Sequence, residues 1–242
     1  AGKTVMALAV IAARRQPALV VVPTKELMYQ WQARARQFLK LDESELGLIG
    51  DGHKRPGTKL TIAIINSLYR QAAELSPLIG QLVVDECHHV PARTFTEAVA
   101  AFDAAFMLGL SATPYRRDGL TGLIELYLGP TTHRISPAEL IRLERIMRPR
   151  LELRATGLRF EAADHAGLLT AICQDEQRNR LIAGDVAALI AAGGGPALVI
   201  SERVEHCRAL FAELAARGLE ARLVIGQTPP GERRLSLDDL DA

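Results

Sequence analysis

The sequence predicts an α/β fold built on one mainly parallel sheet that helices cover on both faces. Short apolar runs rich in valine, leucine and isoleucine recur along the chain. Amphipathic helical patterns separate these runs, and such alternation is typical of βαβ units. The runs are almost continuously apolar, as expected for strands that are buried on both faces. Because five such runs precede residue 111, we expect a sheet of five or more strands.

The elements of the first part follow in order from the apolar pattern. Residues 5–15 are apolar on nearly all sides and predict a helix, and residues 24–39 predict an amphipathic one. The second helix is expected to bury Leu27, Trp31 and Phe38, where Trp31 serves core packing rather than base stacking. A proline precedes and another follows the first apolar run, which favours a strand between them. The strands are predicted at residues 18–22, 46–49, 60–65, 81–84 and 105–110.

The pattern changes from about residue 131 to an arginine-rich stretch and then an extended piece, which predicts a connection between domains. The elements expected after it are a helix over 166–192, a strand over 197–201, a helix over 204–217 and a strand over 221–225. The expected division is a first domain over residues 1–135, a connection over 136–165 and a second domain over 166–242. The last part is shorter than the roughly 100 to 150 residues of a typical domain, so we expect it to be partial.

Composition and charge exclude several classes of protein. A chain with 48% hydrophobic and 24% charged residues can bury a core, yet no apolar run is long enough to span a bilayer. We therefore expect a cytoplasmic protein without a membrane partner. The three cysteines lie far apart in the sequence, which supports neither a disulfide framework nor a metal site. A net charge of +1 provides no global basic field, so any nucleic-acid contact must come from local patches.

Gly2, Lys3 and Thr4 match the end of the phosphate-binding pattern GxxxxGK[ST] and are followed at once by a predicted helix. In an ATP site, Lys3 would reach the β and γ phosphates and the Thr4 hydroxyl would be a ligand of Mg²⁺. The helix N-terminus would present its amides to the phosphates. The tripeptide alone is equally compatible with a solvated terminus. The glycines that wrap the β phosphate in this pattern would precede Ala1, so this chain by itself is expected to hydrolyse ATP poorly or not at all.

Asp85 and Glu86 follow an apolar strand, at the end where open α/β sheets bind ligands. In a nucleotide site Asp85 would hold Mg²⁺, and Glu86 would orient and deprotonate the attacking water. An isolated pair of this kind would more often be a helix cap or a solvated pair, but its position after a phosphate-loop pattern favours catalysis. His88 and His89 could suggest zinc. Adjacent side chains diverge, however, and no second cluster supplies the remaining ligands.

A third strand ends in small hydroxyl residues at Ser111 and Thr113. By itself this is an ordinary turn after a strand. The three segments GKT, DECHH and SATP nevertheless resemble, in order and approximate spacing, motifs I, II and III of superfamily 2 helicases. DECHH is a DEAH-like variant, and the chain looks most like the bacterial relatives of the repair helicase XPB and the motor subunits of type III restriction enzymes.

This resemblance implies RecA-like motor domains, use of ATP and Mg²⁺, and contact with nucleic acid, DNA more than RNA. It also implies that Ser111 and Thr113 couple hydrolysis to movement through hydrogen bonds with the segment that contains His88. The positions implied to contact nucleic acid are Pro23, Thr24, Lys25, Asn66, Ser67 and Arg203. Plain helix capping is the competing interpretation of Thr24, Asn66 and Ser67, and a solvated cap that of Arg203. Residues 175–179 also resemble the family.

The resemblance leaves three functions open. The first is an ATP-driven helicase or translocase, and the second is the DNA-translocating subunit of a restriction or defence system, which would share every motif. The third is a degenerate nucleic-acid-binding scaffold without catalysis. No motif V or arginine-rich motif VI follows in this sequence, and no protein partner is specified. The basic residues 53–55 are interpreted as a solvated loop.

Overall fold

The computed structural model describes residues 2–88, 97–113, 119, 121–159 and 164–238. Within it the chain forms two compact units, unit 1 over Ala1–Pro149 and unit 2 over Arg150–Ala242. The division between them falls inside the stretch where the sequence predicts a connection. The limits of the domains themselves stay a prediction. His89 of the DECHH segment and Pro114 of the SATP segment lie outside the described residues.

Unit 1 is an α/β unit with a six-stranded sheet. Its strands are β1 (Ala18–Val22), β2 (Leu46–Gly50), β3 (His53–Arg55), β4 (Leu60–Ile64), β5 (Gln81–Val84) and β6 (Phe106–Gly109). Its helices include α1 (Lys3–Arg14), α2 (Lys25–Leu39), α3 (Ile65–Leu68), α4 (Ala72–Leu75), α5 (Thr121–Leu128) and α6 (Pro137–Arg142), and a 3₁₀ turn spans Ser76–Leu78. The predicted α/β class is confirmed.

The strands lie in the order β3-β2-β4-β1-β5-β6. All neighbouring strands are parallel except the pair β2 and β3, which is antiparallel. In the central register Val20 lies beside Ile62 of β4 and beside Val83 of β5. Because β1, β5 and β6 are parallel neighbours, their carboxyl ends meet at one edge of the sheet.

The core lies on both faces of the sheet and follows the two-residue period of the strands. Leu19 and Val21 of β1 point into one cluster, in which residues of α3 and α4 also lie. Val20 and its alternate neighbours point into the other, against α1 and α2. Every residue of β1 is buried. This burial on both faces explains why the sequence shows an unbroken apolar run there.

Two details of unit 1 differ from the sequence-based expectation. The buried face of α2 consists of Met28, Trp31 and Ala35, whereas Phe38 is 46% exposed. The prediction that Phe38 is buried is wrong because the helix points that position away from the sheet. The basic loop predicted at residues 53–55 is instead the edge strand β3.

Unit 2 contains four helices in its described part, α7 (His165–Gln174), α8 (Glu176–Ala191), α9 (Val204–Ala215) and α10 (Pro230–Asp238). The single helix predicted over 166–192 is wrong, because Asp175 ends α7 and caps α8 by accepting a hydrogen bond from the Arg178 amide. The strands predicted at 197–201 and 221–225 are also wrong, since neither segment is paired in a ladder within the described part of unit 2. An apolar run needs a neighbouring strand to become a strand itself.

Among the described residues, no helix combines the length and the apolar character needed to cross a bilayer.

Candidate active site

The candidate site lies at the carboxyl edge of the sheet in unit 1. Asp85 follows β5 directly, and its backbone amide extends the ladder by donating to the Val21 carbonyl of β1 at 2.9 Å. On the other side, the Leu110 amide donates to the Val84 carbonyl at 2.9 Å and so places Ser111 just beyond β6. Both predicted polar segments are therefore held at one edge by continued strand pairing, which is where open α/β sheets bind ligands.

Asp85 is a buried carboxylate with a donor on each oxygen. The residue is only 4% exposed. Its Oδ1 accepts from the Glu86 backbone amide at 2.9 Å, and its Oδ2 accepts from Trp31 Nε1 at 2.7 Å. Since a buried polar group without partners is costly, these two bonds satisfy both oxygens of the Asp85 side chain at this depth.

Lys3 and Glu86 meet across the site. Lys3 Nζ lies 2.5 Å from Glu86 Oε1, and each side chain retains about a quarter of its exposure, 27% for the lysine and 24% for the glutamate. Lys3 is the first residue of α1, and Gly2 before it has a φ of +84°, a backbone conformation that favours glycine. This glycine turns the chain into a helix whose first amides have no partner within the helix. The contact brings a cation and these amides to the end of β5.

Glu86 has a backbone φ of +47°, in the left-handed region that residues with a side chain seldom adopt. This conformation follows a strand that ends at Val84 and is held by the Cys87 amide, which donates to the Leu110 carbonyl at 3.2 Å. Such conformations cost roughly 1–2 kcal/mol and concentrate at functional sites. Here the turn directs the Glu86 carboxylate towards Lys3 rather than along the strand direction.

His88 and Ser111 connect the segment after β5 with the segment after β6. Ser111 Oγ lies 2.7 Å from His88 Nδ1 and also accepts the Thr113 backbone amide at 3.0 Å. The same ring nitrogen is 3.5 Å from Glu86 Oε2, at the long limit for an ion pair. The contact expected between Ser111 and the segment that contains His88 is thus present, and it adjoins the Glu86 carboxylate.

The donors near Lys3 suit Mg²⁺. Thr4 follows Lys3 in α1 and contributes a hydroxyl, and Asp85 contributes a carboxylate. Magnesium prefers oxygen ligands and is usually held by one or two protein groups together with substrate phosphates. In the described part of the chain, no group of three or more His, Cys, Asp or Glu side chains is placed to share a metal. One carboxylate and one hydroxyl are the kind of protein groups that hold a magnesium ion arriving with a nucleotide.

The residues predicted to touch nucleic acid lie on three separate segments. In unit 1, Thr24 is the N-cap of α2, and its hydroxyl accepts the Leu27 amide at 3.3 Å, as the capping interpretation expected. Lys25 beside it is exposed, and Pro23 is half-buried. Asn66 and Ser67 lie within the short helix α3 rather than in a loop, with Asn66 exposed. No direct hydrogen bond joins these residues to Asp85 or Glu86 in the described contacts.

Arg203 belongs to unit 2, where it is the N-cap residue of α9 and provides no side-chain cap. Its backbone amide donates to Ser201 Oγ at 3.2 Å, and its side chain is half-buried. The Arg203 side chain therefore does not cap α9.

Unit 2 contains a buried polar network that sequence reasoning missed. His206 Nδ1 lies 2.8 Å from Ser201 Oγ, and its Nε2 lies 2.9 Å from Asn179 Oδ1. Arg178 Nη1 is 3.3 Å from the same Nε2. Burial, reinforced by the positive charge of Arg178, lowers the pKa of His206. The only signal in the sequence is the family-like segment 175–179, which contains two of the network's four residues.

Trp31 is the site residue that the sequence analysis assigned to the core alone. The indole is fully buried, as expected, yet its one donor reaches Asp85. Cys87 lies next to the site but is not a reactive thiol. Burial raises the pKa of this thiol to about 11 and keeps it protonated near neutral pH. The helical spacing of Trp31 cannot reveal that its side chain bonds to Asp85, 54 positions away in the sequence.

The site residues of unit 1 lie in a segment that matches a known protein family. The family described as "Type III restriction enzyme, res subunit" matches residues 1–116, which include Lys3, Asp85, Glu86 and Ser111. The match therefore covers α1, the sheet and the candidate site of unit 1.

Three curated proteins are similar in sequence to this chain over spans of different length. "DNA 3'-5' translocase XPB2" of Sulfurisphaera tokodaii is 36% identical over 140 residues, which cover 58% of this chain and 31% of that protein. "Probable helicase D10" of Escherichia phage T5 is 28% identical over 253 residues, covering 99% of this chain and 52% of that protein. "DNA 3'-5' helicase XPB" of Kineococcus radiotolerans is 28% identical over 254 residues, covering 98% and 43%. This chain spans 31%, 52% and 43% of the lengths of these relatives.

Proposed function

We propose, from the premise that this chain carries a superfamily 2 helicase core of the XPB-like and res-subunit-like kind, that the protein couples ATP hydrolysis to movement along DNA. The observation that supports this most directly is the contact of Lys3 with Glu86 at the carboxyl edge of the sheet. It joins a phosphate-binding lysine to a catalytic carboxylate 83 positions away. A solvated terminus would have no reason to meet a buried strand end.

In this proposal the chain's own residues perform the steps of hydrolysis. Lys3 exchanges Glu86 for the β and γ phosphates of ATP, and the first amides of α1 bind phosphate oxygens. Glu86, once released, accepts a proton from the water that attacks the γ phosphorus, while the bond to the ADP oxygen breaks. Thr4 and Asp85 would hold the Mg²⁺ that arrives with ATP, and the ion would neutralise phosphate charge.

The contact between His88 and Ser111 supports a coupling role at the same edge. Because His88 Nδ1 lies near both Ser111 Oγ and Glu86 Oε2, a change at the Glu86 carboxylate alters a group shared with the segment after β6. Thr113 is held by its amide to Ser111 and would move with it. We propose that this chain of contacts transmits the nucleotide state to the rest of the motor.

The DNA contacts are proposed on exposure, charge and backbone groups. Lys25 is exposed in the first turn of α2, where a helix N-terminus favours a phosphate. Thr24 uses its hydroxyl for capping, so its contribution would come from the backbone. Asn66 and Ser67 are proposed to contact the sugar-phosphate backbone from α3, and Arg203 from unit 2. DNA is proposed over RNA because two of the relatives above are named as acting on DNA.

The match to the res-subunit family favours a second candidate, the translocating subunit of a restriction or defence system. The site chemistry is the same in both cases. A nuclease that co-purifies with the full-length protein, or DNA cleavage that depends on ATP, would identify the defence role. For either role we propose a cytoplasmic location.

The test is ATP turnover by the full-length protein with and without double-stranded DNA. We expect DNA to stimulate turnover, and we expect Lys3→Ala and Glu86→Gln each to lower it by on the order of 100-fold or more. Lys59→Ala is the matched control, because Lys59 pairs with Glu45 on the surface and should retain turnover. Undiminished hydrolysis in either site variant would overturn the assigned roles, and stimulation by RNA alone would overturn the choice of DNA.

A further inference from the structure

Trp31 has a hydrogen bond that core packing does not require. It is fully buried in α2, on the same face as Met28 and Ala35. An indole can only donate, through Nε1, and a buried donor needs an acceptor. That acceptor is Oδ2 of Asp85 at 2.7 Å, a buried carboxylate rather than a backbone carbonyl. The bond is therefore charge-assisted, which makes it stronger than a neutral one.

The bond also fixes the orientation of the carboxylate. The Glu86 amide donates to Oδ1 and the indole to Oδ2, so rotation of the Asp85 side chain would break one bond or both. A carboxylate oxygen can accept more than one hydrogen bond or metal contact. Both oxygens of Asp85 thus remain able to bind a further partner while the group is held in one rotamer.

We infer that Trp31 is a positioning residue, which presents the Asp85 carboxylate to the Mg²⁺ of the bound nucleotide. This inference rests on the proposed function, in which Asp85 is the metal ligand. Partners that hydrogen-bond to a metal ligand fix its direction, and their loss commonly weakens metal binding by about 10- to 100-fold. Trp31 does not touch substrate. It acts by limiting the directions from which Asp85 can bind the ion.

Three replacements in the full-length protein separate the hydrogen bond from packing. Trp31→Phe removes the donor and keeps an aromatic ring in the core. Benzothienylalanine at position 31, introduced by codon suppression, keeps the shape of the indole but lacks the N–H. Met28→Ala is the matched packing control. Met28 is fully buried on the same face of α2, and its side chain has no hydrogen-bond donor for Asp85.

The measurement is binding of Mn²⁺ in the presence of ADP, followed by the loss of the electron paramagnetic resonance signal of free Mn²⁺. We expect both replacements of Trp31 to raise the Kd for Mn²⁺ by about 10-fold. Met28→Ala should leave this Kd within about 2-fold of wild type, because it leaves the bond to Asp85 intact. A second readout is the Mg²⁺ concentration for half-maximal ATP turnover, which should rise in the Trp31 variants, with activity recovered at high Mg²⁺.

Each result is decisive for one claim. An unchanged Kd with benzothienylalanine at position 31 would overturn the positioning role, whatever Trp31→Phe does to folding. Equal weakening by Met28→Ala would also overturn it, because packing alone would then explain the effect. If the wild-type protein binds no Mn²⁺ with ADP, or if Asp85→Asn binds it equally well, the proposed function fails and this inference fails with it.

Discussion

Lys3 Nζ and Glu86 Oε1 lie 2.5 Å apart, so the lysine proposed to bind phosphate and the carboxylate proposed as the catalytic base are bound to each other in the structure. Nucleotide must replace this ion pair before Lys3 can bind phosphate. The pair would therefore oppose nucleotide binding by the amount of its own stability. Three consequences of this and the neighbouring contacts can be measured, and a fourth prediction concerns His206 in unit 2.

Removing the charge of Glu86 should tighten nucleotide binding even as it abolishes hydrolysis. A partly exposed ion pair contributes roughly 0.5–1 kcal/mol, which corresponds to a Kd for a non-hydrolysable ATP analogue about 2- to 5-fold lower in Glu86→Gln. Calorimetric titration of the full-length protein with the analogue measures this Kd. Glu45→Gln, which breaks the surface pair with Lys59, should leave the Kd unchanged. Weaker binding in Glu86→Gln would contradict the competition.

Loss of the Ser111 hydroxyl should uncouple hydrolysis from DNA. Ser111→Ala removes the contact with His88 and the acceptor of the Thr113 amide. We expect the ratio of ATP turnover with and without DNA to fall about 5-fold or more, in the usual range for coupling between sites. Ser136→Ala is the matched control, because that hydroxyl caps α6 instead. A normal ratio in Ser111→Ala would show that coupling takes another route.

The positive φ of Glu86 should reverse the usual order of alanine and glycine. Both Glu86→Ala and Glu86→Gly lose the ion pair, but only glycine relieves the strained backbone. We expect Glu86→Gly to be more stable than Glu86→Ala by about 1 kcal/mol in denaturant unfolding. At Gln30, an exposed position inside α2, glycine should be less stable than alanine by a similar amount. The same order at both positions would contradict the strain.

Stability should fall at acidic pH because of His206. Burial and Arg178 hold the pKa of His206 below its unfolded value, so the unfolded state binds more protons as pH falls. The contribution is complete above the unfolded pKa of about 6.5 and is lost progressively below it. We expect the melting temperature of wild type to fall between about pH 8 and pH 5 more than that of His206→Gln. His165→Gln, at the start of α7, should retain the wild-type dependence.

The sheet could be predicted because its strands carry their own signals. The limits of β1 and β5 agree with the prediction, since each is an apolar run with a sharp polar or proline boundary. Strand β3 was missed because it is only three residues long and its polar side chains are exposed. A usable signal was present in Asp51 and Gly52, which both have positive φ and form the tight turn of a β-hairpin.

The site could be predicted only as a set of candidates. Motif order placed Lys3 and Glu86 in one site, but the direct bond between them depends on the left-handed turn at Glu86. The partner of Trp31 depends on how α2 lies across the sheet, which no local pattern encodes. In unit 2 the strand predictions failed although the runs are apolar, and in the first run Leu198 and Ile200 are even 66% and 80% exposed.

The order of the strands has a mechanical consequence. Strand β5, which is followed directly by Asp85 and Glu86, lies between β1 and β6. On one side β1 leads into Pro23 and the start of α2, and on the other β6 leads into Ser111. Adjacent strands are only about 4.8 Å apart. A displacement of less than this spacing at Glu86 would therefore be large enough to reach either neighbour, and the proposed coupling requires no long lever inside unit 1.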